Sequence, residues 1–299
     1  MRVLWYRLFD VLRGGAIGIA EIIPGVSGGT VALLVGLYDT LISSAARIVR
    51  GLRGAVVASA RQADWAAFRA IPWWRLLAIA VGMLGGIVAG AALIEPLITD
   101  QPVMTRAFFA GLILASILVP LGMVGWPLRP GEPLLFVLVA GSVFLLLGLP
   151  PLTVTEPSAL VVVGSAAIAV CALVLPGVSG SFLLLSLGLY QPTLSAVNDR
   201  DLGYLGLFIL GAVLGLGSFV LVLQWLLTRF RRITLVVMAG LLAGSLRALW
   251  PWQSGSRELL APVSSDTLQA AGFALLGVAI VLGLLAVERG RRARHTTLG

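Results

Sequence analysis

Lysine is missing altogether: all 21 basic residues are arginine, set against 13 acidic ones. Cysteine and histidine occur once each. The lone Cys171 excludes an intramolecular disulfide, and one Cys with one His excludes a Cys/His metal centre. His295 lies in a charged C-terminal tail, so no apolar part of the chain has a histidine base. Neither a paired-carboxylate ExxE motif nor a P-loop is present, and no metal or cofactor is expected. Charge itself is scarce, at 11% of residues against about 25% in soluble domains.

What fills the chain instead is apolar: 59% of residues are hydrophobic and the mean hydropathy is +1.03. Uncharged runs at Ala107–Pro127, Pro133–Thr155, Leu202–Thr228 and Thr267–Val287 each reach the roughly 20 residues a membrane span needs. Pro157–Asn198 runs for 42 residues without a charge, too long for one span. The composition therefore predicts an all-α polytopic membrane protein. A net charge of +8 is no nucleic-acid signal here, because the arginines sit between apolar runs, where they orient a membrane protein. Arg2, Arg7 and Arg13 precede apolar sequence without a small-residue cleavage site, which predicts a mature N-terminus, not a signal peptide.

One phrase occurs twice. Pro24-Gly25-Val26-Ser27-Gly28 returns as Pro176-Gly177-Val178-Ser179-Gly180, and Pro24–Tyr38 agrees with Pro176–Tyr190 at nine of fifteen positions. The offset of 152 is about half the chain, so a duplicated unit is expected, 1–151 and 152–299. Each half reads as a broken or re-entrant helical hairpin (8–48; 157–197) followed by three spans. These are 72–98, 103–125 and 132–150 in the first half, and 203–228, 232–250 and 267–287 in the second, before a basic tail. Ala110–Ser116 echoes Ala239–Ser245 at matching places. An odd number of crossings per half requires inverted topology. With the N-terminus in the cytoplasm, seventeen arginines fall inside and only Arg106, Arg200, Arg247 and Arg257 outside, so both termini are expected in the cytoplasm. Ten residues, Gly14–Ile23, separate Arg13 from Pro24, roughly 15 Å of helix, which favours a re-entrant first hairpin. Pro157–Leu175 is long enough to span, so the second hairpin stays open between the two forms. The stretch 47–75 mixes Arg with Trp65, Phe68, Trp73 and Trp74 and predicts an interfacial helix; it reads as a membrane anchor or as a lipid-headgroup site.

Backbone that leaves the helix inside a membrane must be buried in protein or line a cavity, because lipid cannot satisfy free N–H and C=O groups. A break in each half is thus a pointer to a transporter's binding site. Ser27, Gly28, Gly29 and Thr30, with Ser179, Gly180 and Ser181, stand where new helices begin, and uncovered amides with hydroxyls suit an anion. Close helix packing through the same glycines is the alternative. Glu21 lies three residues before Pro24 in an apolar run, where a carboxylate either carries protons or caps a loop or snorkels. Arg106 and Arg247 are the arginines nearest span interiors; each either neutralises a bound phosphate or snorkels to the interface.

The motifs Glu21–Thr30, Arg106–Ser116, Leu175–Phe182 and Gly244–Trp252 together resemble those of the bacterial polyprenyl-phosphate transporters, the undecaprenyl phosphate translocases, over about Arg13–Val287. Glu21 stands where that family commonly has Asp. The resemblance implies a flippase in the bacterial inner membrane. It would return undecaprenyl phosphate, left on the outer leaflet after envelope polymer synthesis, to the cytoplasmic leaflet. An integral-membrane polyprenyl (pyro)phosphate phosphatase and a small-anion transporter are the competing classes. Undecaprenyl pyrophosphate phosphatases are similar in having inverted repeats and a Pro-Gly-x-Ser turn. Their turn continues into an Arg, whereas Gly28 and Gly180 follow the serines here.

Overall fold

A computed structural model describes residues 2–22, 27–56, 61–152, 154, 156–254 and 256–296. Pro24, Gly25 and Val26, the start of the first Pro-Gly turn, lie outside the described residues. The described chain is helical: α1 Arg2–Ile22, α2 Gly28–Leu34, α3 Tyr38–Val56, α4 Arg61–Arg69, α5 Trp73–Asp100, α6 Pro102–Ser116, α7 Leu118–Val124, α8 Glu132–Leu146, α9 Ala159–Val174, α10 Gly180–Ser186, α11 Tyr190–Asn198, α12 Leu202–Arg229, α13 Arg231–Ser245 and α14 Ser264–Thr296, with a 3-10 turn at Leu246–Leu249.

Among the described residues, five helical segments are long and apolar enough to cross a membrane: Trp73–Leu93, Pro102–Val124, Leu202–Arg229, Arg231–Leu249 and Ser264–Ala286. They follow the expected spans closely, and the protein is a multi-pass membrane protein. The span formed by α6 and α7 is interrupted at Ile117 because Pro120 has no N–H to give the carbonyl of Ser116. The expected span 132–150 is shorter than predicted. Helix α8 stops at Leu146 after 15 residues, roughly 22 Å, ahead of Gly148 and the Pro150-Pro151 pair that cannot continue it.

The chain forms two compact units. The first comprises 1–91 and 151–234: both hairpins and the first span after each. The second comprises 92–150 and 235–299, the remaining spans of both halves. Each unit therefore draws on both copies of the duplication.

Within the first unit, the leading arm of each hairpin packs on the span that follows it, backbone to backbone. Gly14 and Gly18 of α1 lie on the main chain of Ile79 and Met83, and Gly82 and Gly86 of α5 lie on that of Val11 and Gly15. Gly211 and Gly215 of α12 do the same against Val163 and Ala167 of α9. Small residues four apart let membrane helices approach this closely where no hydrophobic force drives them together. Within the second unit the pairing is reciprocal: α6 packs on α14 through Gly111 and Gly277, and α8 on α13 through Gly240 and Gly244. The second span of each half thus meets the third span of the other.

The stretch expected at the interface folds as α4 and its flanks. Trp65, Phe68 and Trp73 stack edge to face with centroids 5.4 and 5.1 Å apart, and Arg53 forks onto Asp64 at 3.1 and 3.2 Å. Asp10 of α1 is held by Arg75 at 3.0 Å.

Candidate functional site

The two breaks have the same local construction. Ser27 and Ser179 are both extended N-caps, with φ/ψ of −110°/133° and −93°/127°, each opening a seven-residue helix. Both helices end on a glycine with positive φ, Gly36 at 71° and Gly188 at 73°. Leu37 N–H then bonds Ala32 O at 2.8 Å, and Leu189 N–H bonds Leu184 O at 2.9 Å. This is the six-to-one closure of a helix by a left-handed glycine, and it explains why Gly-Leu recurs at the end of both motifs. Helices α2 and α3 then diverge by 118°.

In the second break, Pro176 pushes Leu175 into the extended region (ψ 132°) and ends α9 at Val174. That strands the last carbonyls of α9 within apolar sequence, where water cannot satisfy them. The first hairpin supplies the donors. Ser27 Oγ donates within 3.2 Å of Leu173 O and 3.1 Å of Leu175 O, and Tyr38 Oη donates to Val174 O at 3.1 Å. In return, Gly177 N–H donates to Thr30 Oγ1 at 2.9 Å. Gly29 is required by this contact, since a Cβ there would stand 2.8 Å from Val174 O. Ser27 and Thr30 are each only 1% exposed.

The structure thus brings Ser27, Gly29 and Thr30 together with the turn preceding Ser179, Gly180 and Ser181. The amides expected to be uncovered at the first break are partly engaged. Gly29 N–H is taken by Ser27 Oγ at 3.1 Å, because a Ser N-cap satisfies the amide two residues on. Gly28 N–H faces the carboxylate of Glu21, near the end of α1. At the second break Ser179 and Ser181 hydroxyls pair at 2.9 Å, and Ser181 is exposed. Gly180 packs against α9, with Ala169 O 2.5 Å from where a Cβ would stand.

Arg106 and Arg247 belong to the second unit. Arg106 Nη1 donates to Pro251 O at 3.5 Å. The guanidinium of Arg247 lies 4.7 Å over the Phe144 ring and against Gly148, which has no side chain to displace it. Its Nε is buried and makes no hydrogen bond among the described residues, leaving a donor for an incoming acceptor.

Sequence reasoning missed Tyr38 as a donor, although the tyrosine closes both copies of the motif. It also missed Gln224, whose signal was an amide side chain near the end of the uncharged run Leu202–Thr228.

Comparison with known proteins finds transporters along most of the chain. The chain is 38% identical over 301 residues to a polyprenyl-phosphate transporter of Vibrio cholerae, covering 93% of this chain and 96% of that one. It is 28% identical over 263 residues to a polyprenyl-phosphate transporter of Staphylococcus aureus, covering 82% and 87%. No solved structure matches. The family profile described as undecaprenyl phosphate translocase-like matches residues 17–267, both breaks and both arginines included, and the chain belongs to that family.

Proposed function

We propose that this protein is a transporter of polyprenyl phosphate lipids that returns undecaprenyl phosphate from the outer to the cytoplasmic leaflet of the bacterial inner membrane, with both termini cytoplasmic and the halves inverted. The observation that carries the reading is the junction of the two breaks, where the hydroxyls of one hairpin replace water around the interrupted backbone of the other. A lipid monophosphate crossing the bilayer needs such a place, because its headgroup must exchange water for protein donors while its tail stays in lipid.

In this reading Ser179, Gly180 and Ser181 meet the phosphate, and Ser27, Gly28, Gly29 and Thr30 hold that turn in shape. Glu21 carries the coupling proton. Within the second unit, Arg106 and Arg247 offer positive charge to an anionic headgroup, Arg247 through its unused Nε. The protein works by binding and release without cleaving the phosphate ester.

The test is flip of a fluorescent polyprenyl phosphate in proteoliposomes, with inorganic phosphate measured in the same sample. Flip without phosphate release is expected. Phosphate release abolished by Ser27→Ala or Ser179→Ala would instead make the protein a phosphatase.

A further inference from the structure

Gln224 is the only amide side chain in the 28 residues of α12. It sits in the last two turns, beside Trp225 and before Thr228 and Arg229. Arg50 of α3 donates to its Oε1. Between α3 and the end of α12, Arg50, Gln224, Trp225 and Thr228, with Val49 and Leu221, line a half-open cavity of about 520 Å³.

The charges around this cavity do not balance. Arg53, also on its wall, is forked onto Asp64 at 3.1 and 3.2 Å. The one carboxylate of α3, Asp39, lies about three turns from Arg50 and is taken by Arg231 at 3.1 Å. Among the described residues no carboxylate pairs with Arg50, whose partner is a neutral amide. Gln224 orients the guanidinium and leaves its charge in place.

The depth of the cavity narrows what can answer that charge. Trp225 is 55% exposed and stacks edge to face on Phe230 with centroids 5.2 Å apart, where the apolar run gives way to Arg229, Arg231 and Arg232. Exposed Trp at the end of a span marks the headgroup level of a bilayer. An uncompensated guanidinium at that depth favours a phosphate, with Leu221 and Trp225 left to follow the tail. The volume lies in the range of about 300–1,000 Å³ typical of small-ligand sites, enough for a headgroup but not for a long chain.

We propose that the Arg50–Gln224 cavity is a boundary site for the phosphate headgroup of a lipid, separate from the hairpin junction. Arg50 supplies the charge and Gln224 is its positioning residue. That the occupant is the transported lipid rests on the transporter reading; that it is a lipid phosphate does not.

The test uses the full-length protein in phosphatidylcholine nanodiscs with two photoreactive probes, a short-chain polyprenyl phosphate and a phosphatidic acid. Each carries a diazirine beside the phosphate, and labelled peptides are mapped by mass spectrometry. Labelling of 49–53 and 221–228 is expected from both probes. It should fall roughly tenfold in Arg50→Gln, the scale of one charge-assisted contact. Gln224→Glu, which places a carboxylate on Arg50 without changing size, should do the same, and Arg50→Lys should retain most of the labelling. Equal labelling by the two probes supports headgroup recognition. Labelling that persists in both Arg50→Gln and Gln224→Glu overturns the site, as does competition by millimolar inorganic phosphate as effective as by lipid. If wild-type protein is labelled here but shows no flip, the transporter reading fails and the boundary site stands.

Discussion

Ser27 opens α2 by accepting the N–H of Gly29, and Ser179 opens α10 by accepting that of Phe182 at 3.5 Å. From that common start the two breaks diverge. In the first, Ser27, Thr30 and Tyr38 are buried and turned onto the end of α9. In the second, Thr30 is replaced by Phe182, Gly29 by the exposed Ser181, and Tyr38 by Tyr190, which is 40% exposed. The first copy is a clamp and the second is the clamped segment, with Ser179 buried and Ser181 left accessible. The two turns share a motif, and two differences within it, Thr30 against Phe182 and Gly29 against Ser181, accompany their different roles.

The comparison breaks most severely at the glycines. Gly180→Val drives a side chain into the carbonyl of Ala169, and Gly29→Val into that of Val174, neither of which can move without its helix. Each is expected to abolish flip in proteoliposomes and to destabilise by about 1–3 kcal/mol, the usual cost of overpacking, read as a lowered Tm. Gly28→Ala meets side-chain atoms of Glu21 and Ile17, and no backbone, and should be milder.

Removing the clamp comes next. Thr30→Val keeps the shape but leaves the Gly177 N–H without its acceptor, and Ser27→Ala withdraws a donor from the carbonyls of α9 together with a helix cap. Each should cost about 1–3 kcal/mol. If neither variant lowers the Tm, the clamp description is wrong.

Ser181→Ala tests the other copy. Being exposed, it should change stability by less than about 0.5 kcal/mol while reducing the rate of flip. Wild-type flip in this variant would leave the second break with no ligand-facing role.

The smallest effect on the fold is expected from Glu21→Gln, which preserves size and an oxygen for the Gly28 N–H. Binding of polyprenyl phosphate should persist and the pH dependence of flip should disappear, since an amide carries no proton. A pH profile identical to wild type would leave Glu21 only its hydrogen bond with Gly28.

Much of this protein is legible along the chain because a bilayer imposes length. Span boundaries at 72–98 and 203–228 fall within two residues of helices Trp73–Asp100 and Leu202–Arg229, since charge-free runs, Pro and Gly mark where helices enter and leave lipid. Helix α8 departed from its predicted extent because Gly148 and Pro150 end the helix inside the apolar run. The candidate residues at the two breaks were legible through their repetition, but their partners were not. Nothing in the spacing says that Ser27 caps Leu173 and Leu175, 146 and 148 residues away.

The sequence by itself determined the class of protein, the two breaks, the capping serines and the closing glycines, all of which follow from local chemistry and hydropathy. Only the tertiary structure decided which break clamps the other, that each compact unit takes elements from both copies, and that Arg50 answers to Gln224 instead of a carboxylate. The reason is that stranded carbonyls and unpaired charges in an apolar medium are satisfied by whichever groups the packing brings near. That choice depends on contacts across some 150 residues of chain, which no local pattern encodes.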